Sequence, residues 1–199
     1  MNLNLTDKTA LVSGSTKGIG FAIATGLARE GARVIVNGRS EKAVAEAKEQ
    51  IDQTAPDARI EGFAGDLSTS AATETLLQRF PLVDILVNNL GIFEPKSFGD
   101  ITDEEWRRFF EVNVLSGVRL SRAYLPGMKE RNWGRIVFIS SESAINTPAE
   151  MVHYGVTKTG AACRAARSCR IVCRHSSHGE CGVTRSNTFR RCGGICGTA

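Results

Sequence analysis

The first 162 residues contain no cysteine. That absence excludes a disulfide framework and a thiolate metal site from most of the chain. No hydrophobic run approaches the roughly 20 residues that a membrane-spanning helix requires. Met1 to Ala10 lacks a basic segment followed by an apolar one, so no secretory signal is read there and a cytoplasmic protein is expected. No internal repeat and no linker divides the sequence. A chain of 199 residues is long enough for one domain with a real core. Its 42% hydrophobic and 23% charged residues are ordinary for a globular protein, so a disordered chain is not expected.

What is present is unevenly distributed. Met1 to Thr159 carries 18 Lys+Arg against 20 Asp+Glu, a net charge of −2. Gly160 to Ala199 carries seven Arg against Glu180 alone, a net charge of +6. All six cysteines, from Cys163 to Cys196, lie in the same tail. A basic tail can bind nucleic acid or anionic lipid. Here arginine is scattered among Cys and Gly with Phe189 as the only aromatic, so neither partner is expected.

The upstream part alternates strands and helices. Thr9 to Ser13 reads as a buried strand leading into the glycine turn Gly14 to Gly20. Phe21 to Glu30 reads as a helix closed by Gly31. Arg33 to Asn37 is a second strand, and Ser40 to Gln53 a helix with Ser40 as N-cap. Ile60 to Ala64, Asp84 to Asn88 and Arg135 to Ser140 complete five strands. Ser68 to Phe80 and a long stretch from Thr102 to Lys129 supply further helices, the latter opened by a capping box at Thr102 and Glu105. This alternation predicts an α/β fold, a Rossmann-type doubly wound parallel sheet covered on both faces, in a single domain over residues 1–159.

Gly14, Gly18 and Gly20 follow a strand and open a helix. Glycines let the backbone approach a pyrophosphate, and a helix N-terminus presents unpaired N–H groups to it. A tight strand–helix turn would use glycine too, but the flanking strand and helix favour nucleotide binding. The spacing is Gly-x-x-x-Gly-x-Gly rather than the common dinucleotide fingerprint. With Ser15, Thr16, Lys17 and Ile19 it forms the expected cofactor turn.

The chain resembles the short-chain dehydrogenase/reductase family over residues 5–159. Besides the glycine turn, Asp66-Leu67 resembles the pair that faces the adenine ring. Asn88-Asn-Leu-Gly91 is similar to the family's Asn-Asn-Ala-Gly, with Leu90 in place of Ala implying a narrower wall beside the cofactor. Asn113 matches the family's helix Asn. Ser141 lies thirteen residues before Tyr154, and Tyr154-Gly-Val-Thr-Lys158 matches Tyr-x-x-x-Lys. The wording is similar to 3-oxoacyl carrier-protein reductases. The resemblance implies an oxidoreductase acting on a ketone or secondary alcohol, with a nicotinamide cofactor contacting Gly14 to Gly20, Asp66, Leu67, Asn88, Gly91, Tyr154 and Lys158. An acid at the end of the second strand would bind the ribose 2′-OH of NAD, whereas Arg suits the 2′-phosphate of NADP. The chain has Asn37-Gly-Arg39 and no acid there, and Lys17 adds a second cation. NADP(H) is therefore favoured over NAD(H).

Reducing a carbonyl needs a hydride on carbon and a proton on oxygen. Free tyrosine has a pKa near ~10, so a hydroxyl that exchanges protons at neutral pH needs help. Residues i and i+4 share a helix face, which brings a cation at 158 beside the tyrosine at 154. The resemblance implies four catalytic residues. Tyr154 is the acid/base, Lys158 eases the proton's release and holds the nicotinamide ribose, Ser141 binds the substrate oxygen, and Asn113 supports a water relay. A lone Tyr-x-x-x-Lys would be an ordinary exposed pair. His153 reads as a packing or substrate-edge residue.

After residue 159 the pattern breaks. The family continues into a sixth strand, a substrate loop and a seventh strand; residues 160–199 have no clear periodicity. Cys169, Cys173, His175 and His178 match no standard zinc spacing, and no metal is expected. Back-translating Ser177 to Asn187 and reading one base later permits V-T-V-N-A-V-L-P-G-P-T, a strand and Pro-Gly turn of the family type. One extra base near codons 159 and 160 would give the tail, so missing C-terminal strands and impaired activity are expected. The family commonly forms homodimers or homotetramers; the altered helix after Lys158 argues against that here.

Overall fold

The computed structural model describes residues 3–160 and the backbone of two short strands further on. Five strands, β1 (Thr9–Val12), β2 (Arg33–Gly38), β3 (Ile60–Ala64), β4 (Ile85–Asn88) and β5 (Arg135–Phe138), form one sheet in the order β3-β2-β1-β4-β5. Every pairing is parallel, with Leu11 opposite both Ile35 and Leu86. The order reverses between β2-β1 and β4, and doubly wound sheets bind ligands at the carboxyl ends of the strands at such a switch point.

Alternation along the strands builds two cores. Ala10, Val12, Val34, Val36, Ile85 and Val87 face helices α1 (Gly18–Arg29) and α2 (Glu41–Thr54), which contribute Ala24, Ala28, Ala47 and Ile51. Leu11, Ile35 and Leu86 face the other way, against Leu76 of α3 (Ser70–Arg79) and Leu120, Tyr124 and Met128 of α5 (Ser116–Glu130). Gly117 lets α5 lie close to the sheet, because a Cβ there would stand 2.8 Å from the Phe138 ring. The expected parallel sheet with helices on both faces is present.

Side-chain caps open three of the helices. Ser40 accepts the Ala43 N–H at 3.3 Å, and Thr102 and Glu105 form the reciprocal capping box of α4 (Asp103–Phe110). Most boundaries shift by a residue or two from the sequence expectation, and three differences among the helices stand out. α1 begins at Gly18, inside the glycine turn. α3 is capped by Thr69, because Asp66 and Ser68 are tied to each other in a preceding turn. The single helix expected over Thr102 to Lys129 is interrupted by a π-helical turn, Glu111–Leu115, between α4 and α5. A sixth helix, α6, covers residues 152–160. Gly182–Arg185 and Thr188–Arg191 pair antiparallel in a separate two-stranded sheet, a region where no strand was expected. The frame-shift reading of the tail and its Cys/His group otherwise lie outside the described residues.

Candidate active site

The glycine turn is shaped by side chains that reach it from other strands. Gly14 and Gly18 both have φ +61, a conformation that favours glycine. The Gly14 N–H donates to Asn37 Oδ1 at 3.0 Å, and Asn37 Nδ2 donates to the carbonyls of Phe63 and Gly65 at 3.2 and 3.0 Å. Asn37 therefore joins the ends of β1, β2 and β3. Just after β4, Asn89 Nδ2 donates to the carbonyls of Ser13 and Gly14 at 3.0 and 2.9 Å. Ser13 Oγ accepts the N–H groups of Asn89 and Leu90, each at 3.0 Å. Gly20 is sterically required, since a Cβ there would stand 2.4 Å from the Gly14 carbonyl oxygen.

The other expected cofactor residues take distinct places. Ser15 is buried, with Oγ donating to the Val12 carbonyl and accepting the Asn37 N–H, so it shapes the turn from inside. Thr16 packs where a Gly38 Cβ would fall, and Ile19 is exposed. Lys17 is the N-cap of α1 and makes no side-chain capping bond. Lys17 and Arg39 are exposed. Asp66 is exposed and accepts from Ser68, while Leu67 is buried in the second core. Asn88 points away from the turn, its Nδ2 donating to Ser121 Oγ at 3.2 Å. Leu90 lies against Gly14, its Cδ1 3.4 Å from where a Cβ would be.

The four expected catalytic residues come from three elements. Asn113 lies in the π-helical turn. Its Oδ1 accepts the Ile92 N–H at 2.7 Å, and its Nδ2 donates to the Ile92 carbonyl and to Thr157 Oγ1, each at 3.0 Å. Asn113 thus binds the segment after β4 to α6. Ser141 follows β5, and its Oγ accepts the Ser143 N–H at 3.2 Å. Tyr154 and Lys158 share one face of α6, with Lys158 Nζ 5.6 Å from the Tyr154 ring centroid. Lys158 is buried and Nζ donates to the Ile139 carbonyl at 2.9 Å. Burial pushes the Lys158 pKa below the ordinary lysine value. A Cβ on Gly91 would be 3.4 Å from both Lys158 Nζ and Asn113 Oδ1, so Gly91 lies between these two groups.

Other contacts fix α6 itself. Gly155 admits the residues after Ser141, because a Cβ there would stand 2.4 Å from Thr147 and 2.8 Å from the Ser143 carbonyl. Thr159 Oγ1 donates to the Ala144 carbonyl at 2.9 Å. His153 is buried against Phe109, ring centroids 4.0 Å apart, as the packing alternative anticipated. Burial lowers its pKa. Sequence reasoning missed Asn37, Asn89 and Thr157. Only Asn89 carried a signal, as the second member of the Asn-Asn pair. Among the described residues no group of three or more His, Cys, Asp or Glu is placed to hold a metal ion, and no helix is long and apolar enough to cross a membrane.

The residues present fit a nicotinamide dinucleotide. At Gly18 no atom lies within 4 Å of where a Cβ would stand, so the turn is open there, and the buried Lys158 amine has one carbonyl partner and capacity for more. Residues 8–170 match the short chain dehydrogenase family. The chain is 55% identical over 159 residues to the uncharacterized oxidoreductase YvaG of Bacillus subtilis (strain 168), covering 80% of this chain and 60% of that protein. It spans about 60% of the length of the first curated relatives it matches. L-sorbose reductase from Gluconobacter frateurii, solved with NADPH and L-sorbose, is similar in structure (TM-score 0.81, 31% identity, 88% of this chain and 68% of that one). So is a 3-oxoacyl (acyl-carrier-protein) reductase from Agrobacterium tumefaciens with NADP bound (TM-score 0.80, 32% identity, 86% and 67%). With the glycine turn, Asn113, Ser141, Tyr154 and Lys158 all in family order, this chain belongs to the short-chain dehydrogenase family.

Proposed function

We propose that this protein is an oxidoreductase that interconverts a ketone and a secondary alcohol, with NADP(H) preferred over NAD(H). The observation that carries the reading is the buried Lys158 amine beside Tyr154, held on the Ile139 carbonyl at the carboxyl end of the sheet. The bound nicotinamide supplies or accepts the hydride. In the reductive direction the ketone carbon gains that hydride and its oxygen gains the Tyr154 hydroxyl proton. Ser141 Oγ hydrogen-bonds the substrate oxygen. Lys158 supports proton loss from Tyr154 and holds the ribose. Asn113 keeps the segment after β4 and helix α6 in register. The glycine turn and the amides of α1 hold the pyrophosphate, and the exposed Lys17 and Arg39 meet the 2′-phosphate.

Tyr154→Phe tests the chemistry. It should lower ketone-dependent NADPH oxidation by about 10²–10⁴-fold, the range for a lost general acid, while fluorescence titration finds NADPH still bound. Arg39→Ala should weaken NADPH binding roughly tenfold, as loss of a charge-assisted hydrogen bond would, and NADH binding less. Equal losses for the two cofactors would overturn the NADP(H) preference.

A second reading is a nucleotide-binding chain without turnover. It is favoured by β5, which among the described residues pairs only with β4 and leaves an open sheet edge. NADPH binding without oxidation across a ketone panel would select this reading. A frame change near codon 159 would account for the tail, and an uninterrupted frame in independent clones of the gene would exclude it.

A further inference from the structure

Two segments, 91–97 after β4 and 141–150 after β5, flank Tyr154, and each displays one large apolar side chain to solvent, with the exposed Phe98 just beyond the first. Phe93 is 71% exposed and Ile145 is 70% exposed. Exposure of an aromatic ring costs stability that burial would return, and Phe93 is held in that position from both sides. On one side, Asn113 binds both the N–H and the carbonyl of Ile92. On the other, the Lys96 N–H donates to the Glu150 carbonyl at 2.7 Å, and Lys96 Nζ meets Glu105 Oε1 at 2.5 Å. The Phe93 ring stands edge-on to Tyr154, with centroids 6.2 Å apart and planes inclined at 62°.

The charges nearby point to one kind of substrate. The segments 91–97 and 141–150 carry Glu94, Glu142 and Glu150 and a single cation, Lys96. Lys96 is already paired with Glu105. No spare cation on these segments awaits a carboxylate or phosphate, and three acids would repel one. An exposed aromatic ring beside the Tyr154 ring instead suits a flat, uncharged group attached to the reacting carbonyl.

We propose that Phe93 is a specificity-determining residue that stacks on the substituent of an uncharged aryl or similarly flat apolar ketone. This rests on the oxidoreductase reading above. The test uses the full chain saturated with NADPH, with acetophenone, 2-butanone and pyruvate as probes. Acetophenone should be preferred over pyruvate by at least about tenfold in kcat/KM. Phe93→Ala should lower the acetophenone to 2-butanone ratio about fivefold or more, the scale of one lost aromatic contact. Phe93→Trp should preserve it.

Saturation-transfer NMR of acetophenone binding, run on wild type, Phe93→Ala and the turnover-deficient Tyr154→Phe, separates the two claims. Binding that depends on Phe93 in a chain without turnover overturns the oxidoreductase reading and leaves this one standing. An unchanged ratio and unchanged binding in Phe93→Ala, a preference for pyruvate, or no acetophenone binding by the wild-type protein overturns the role of Phe93.

Discussion

Thr157 lies within the Tyr-x-x-x-Lys segment yet reaches outside its own helix. Its Oγ1 accepts from Asn113 Nδ2 at 3.0 Å and donates to the Tyr154 carbonyl at 2.8 Å, in a fully buried position. It is the side-chain link between the π-helical turn and the helix that carries Tyr154 and Lys158. Thr157→Val keeps the shape and strands a buried amide donor, at a cost of about 1–3 kcal/mol. We expect kcat to fall more than the KM for NADPH changes, and Thr157→Ser to restore it. Steady-state kinetics of the three proteins, with thermal melts alongside, check this. A matched loss of stability and cofactor affinity without a kcat effect would assign Thr157 to packing alone. The residue was invisible as a site residue in the sequence because its partner is 44 positions away. Tyr154 and Lys158 were visible because they lie one helical turn apart.

Among the elements, the π-helical turn and α4 show where a sequence pattern runs out. The capping box of α4 was readable because its partners are three residues apart. The interruption at Glu111–Leu115 was not, since the partner of Asn113 at Ile92 lies 21 positions away. The same limit applied to the glycine turn, whose glycines were legible and whose supports, Asn37 and Asn89, act across strands.

Glu105 serves two elements at once. Its Oε2 accepts the Thr102 N–H in the cap, and its Oε1 pairs with Lys96 on the segment after β4. The hydrogen bond from Lys96, followed by that from the Thr102 backbone, holds its carboxyl at about 2, below the ordinary 4.5. The folded state therefore binds this proton less readily than the unfolded chain. The resulting stability is fully present above about pH 4.5 and is lost as pH falls through about 2. Glu105→Gln retains the cap and loses the charge. Its deficit against wild type should be present at pH 7 and shrink progressively below pH 4.5, as read from urea midpoints. A deficit independent of pH would exclude the ion pair as its source.

For the whole molecule, the fold class, strand order and two-faced core follow from alternation that is plain in the sequence: Ala10 and Val12 to one side, Leu11 to the other. What the alternation does not convey is the cost of the site. Burial lowers the Lys158 pKa, so the fold disfavours the charged amine and pays a penalty at neutral pH that fades as pH rises toward 10.5. Lys158→Met should therefore raise the melting temperature by roughly 2–4 °C, about the effect of 1 kcal/mol in a chain of this size, and abolish turnover. A lower melting temperature would show that the bond to Ile139 outweighs desolvation.

The bracing of the glycine turn has a consequence for the thermodynamics of binding. Asn37, Asn89 and Ser13 hold the loop with hydrogen bonds that need no ligand. If the turn holds a pyrophosphate as proposed, the chain entropy of forming it is lost during folding and not again on binding. On that reading, affinity at this end of the molecule is written into the stability of the sheet, and weakening the sheet should loosen the grip on the cofactor.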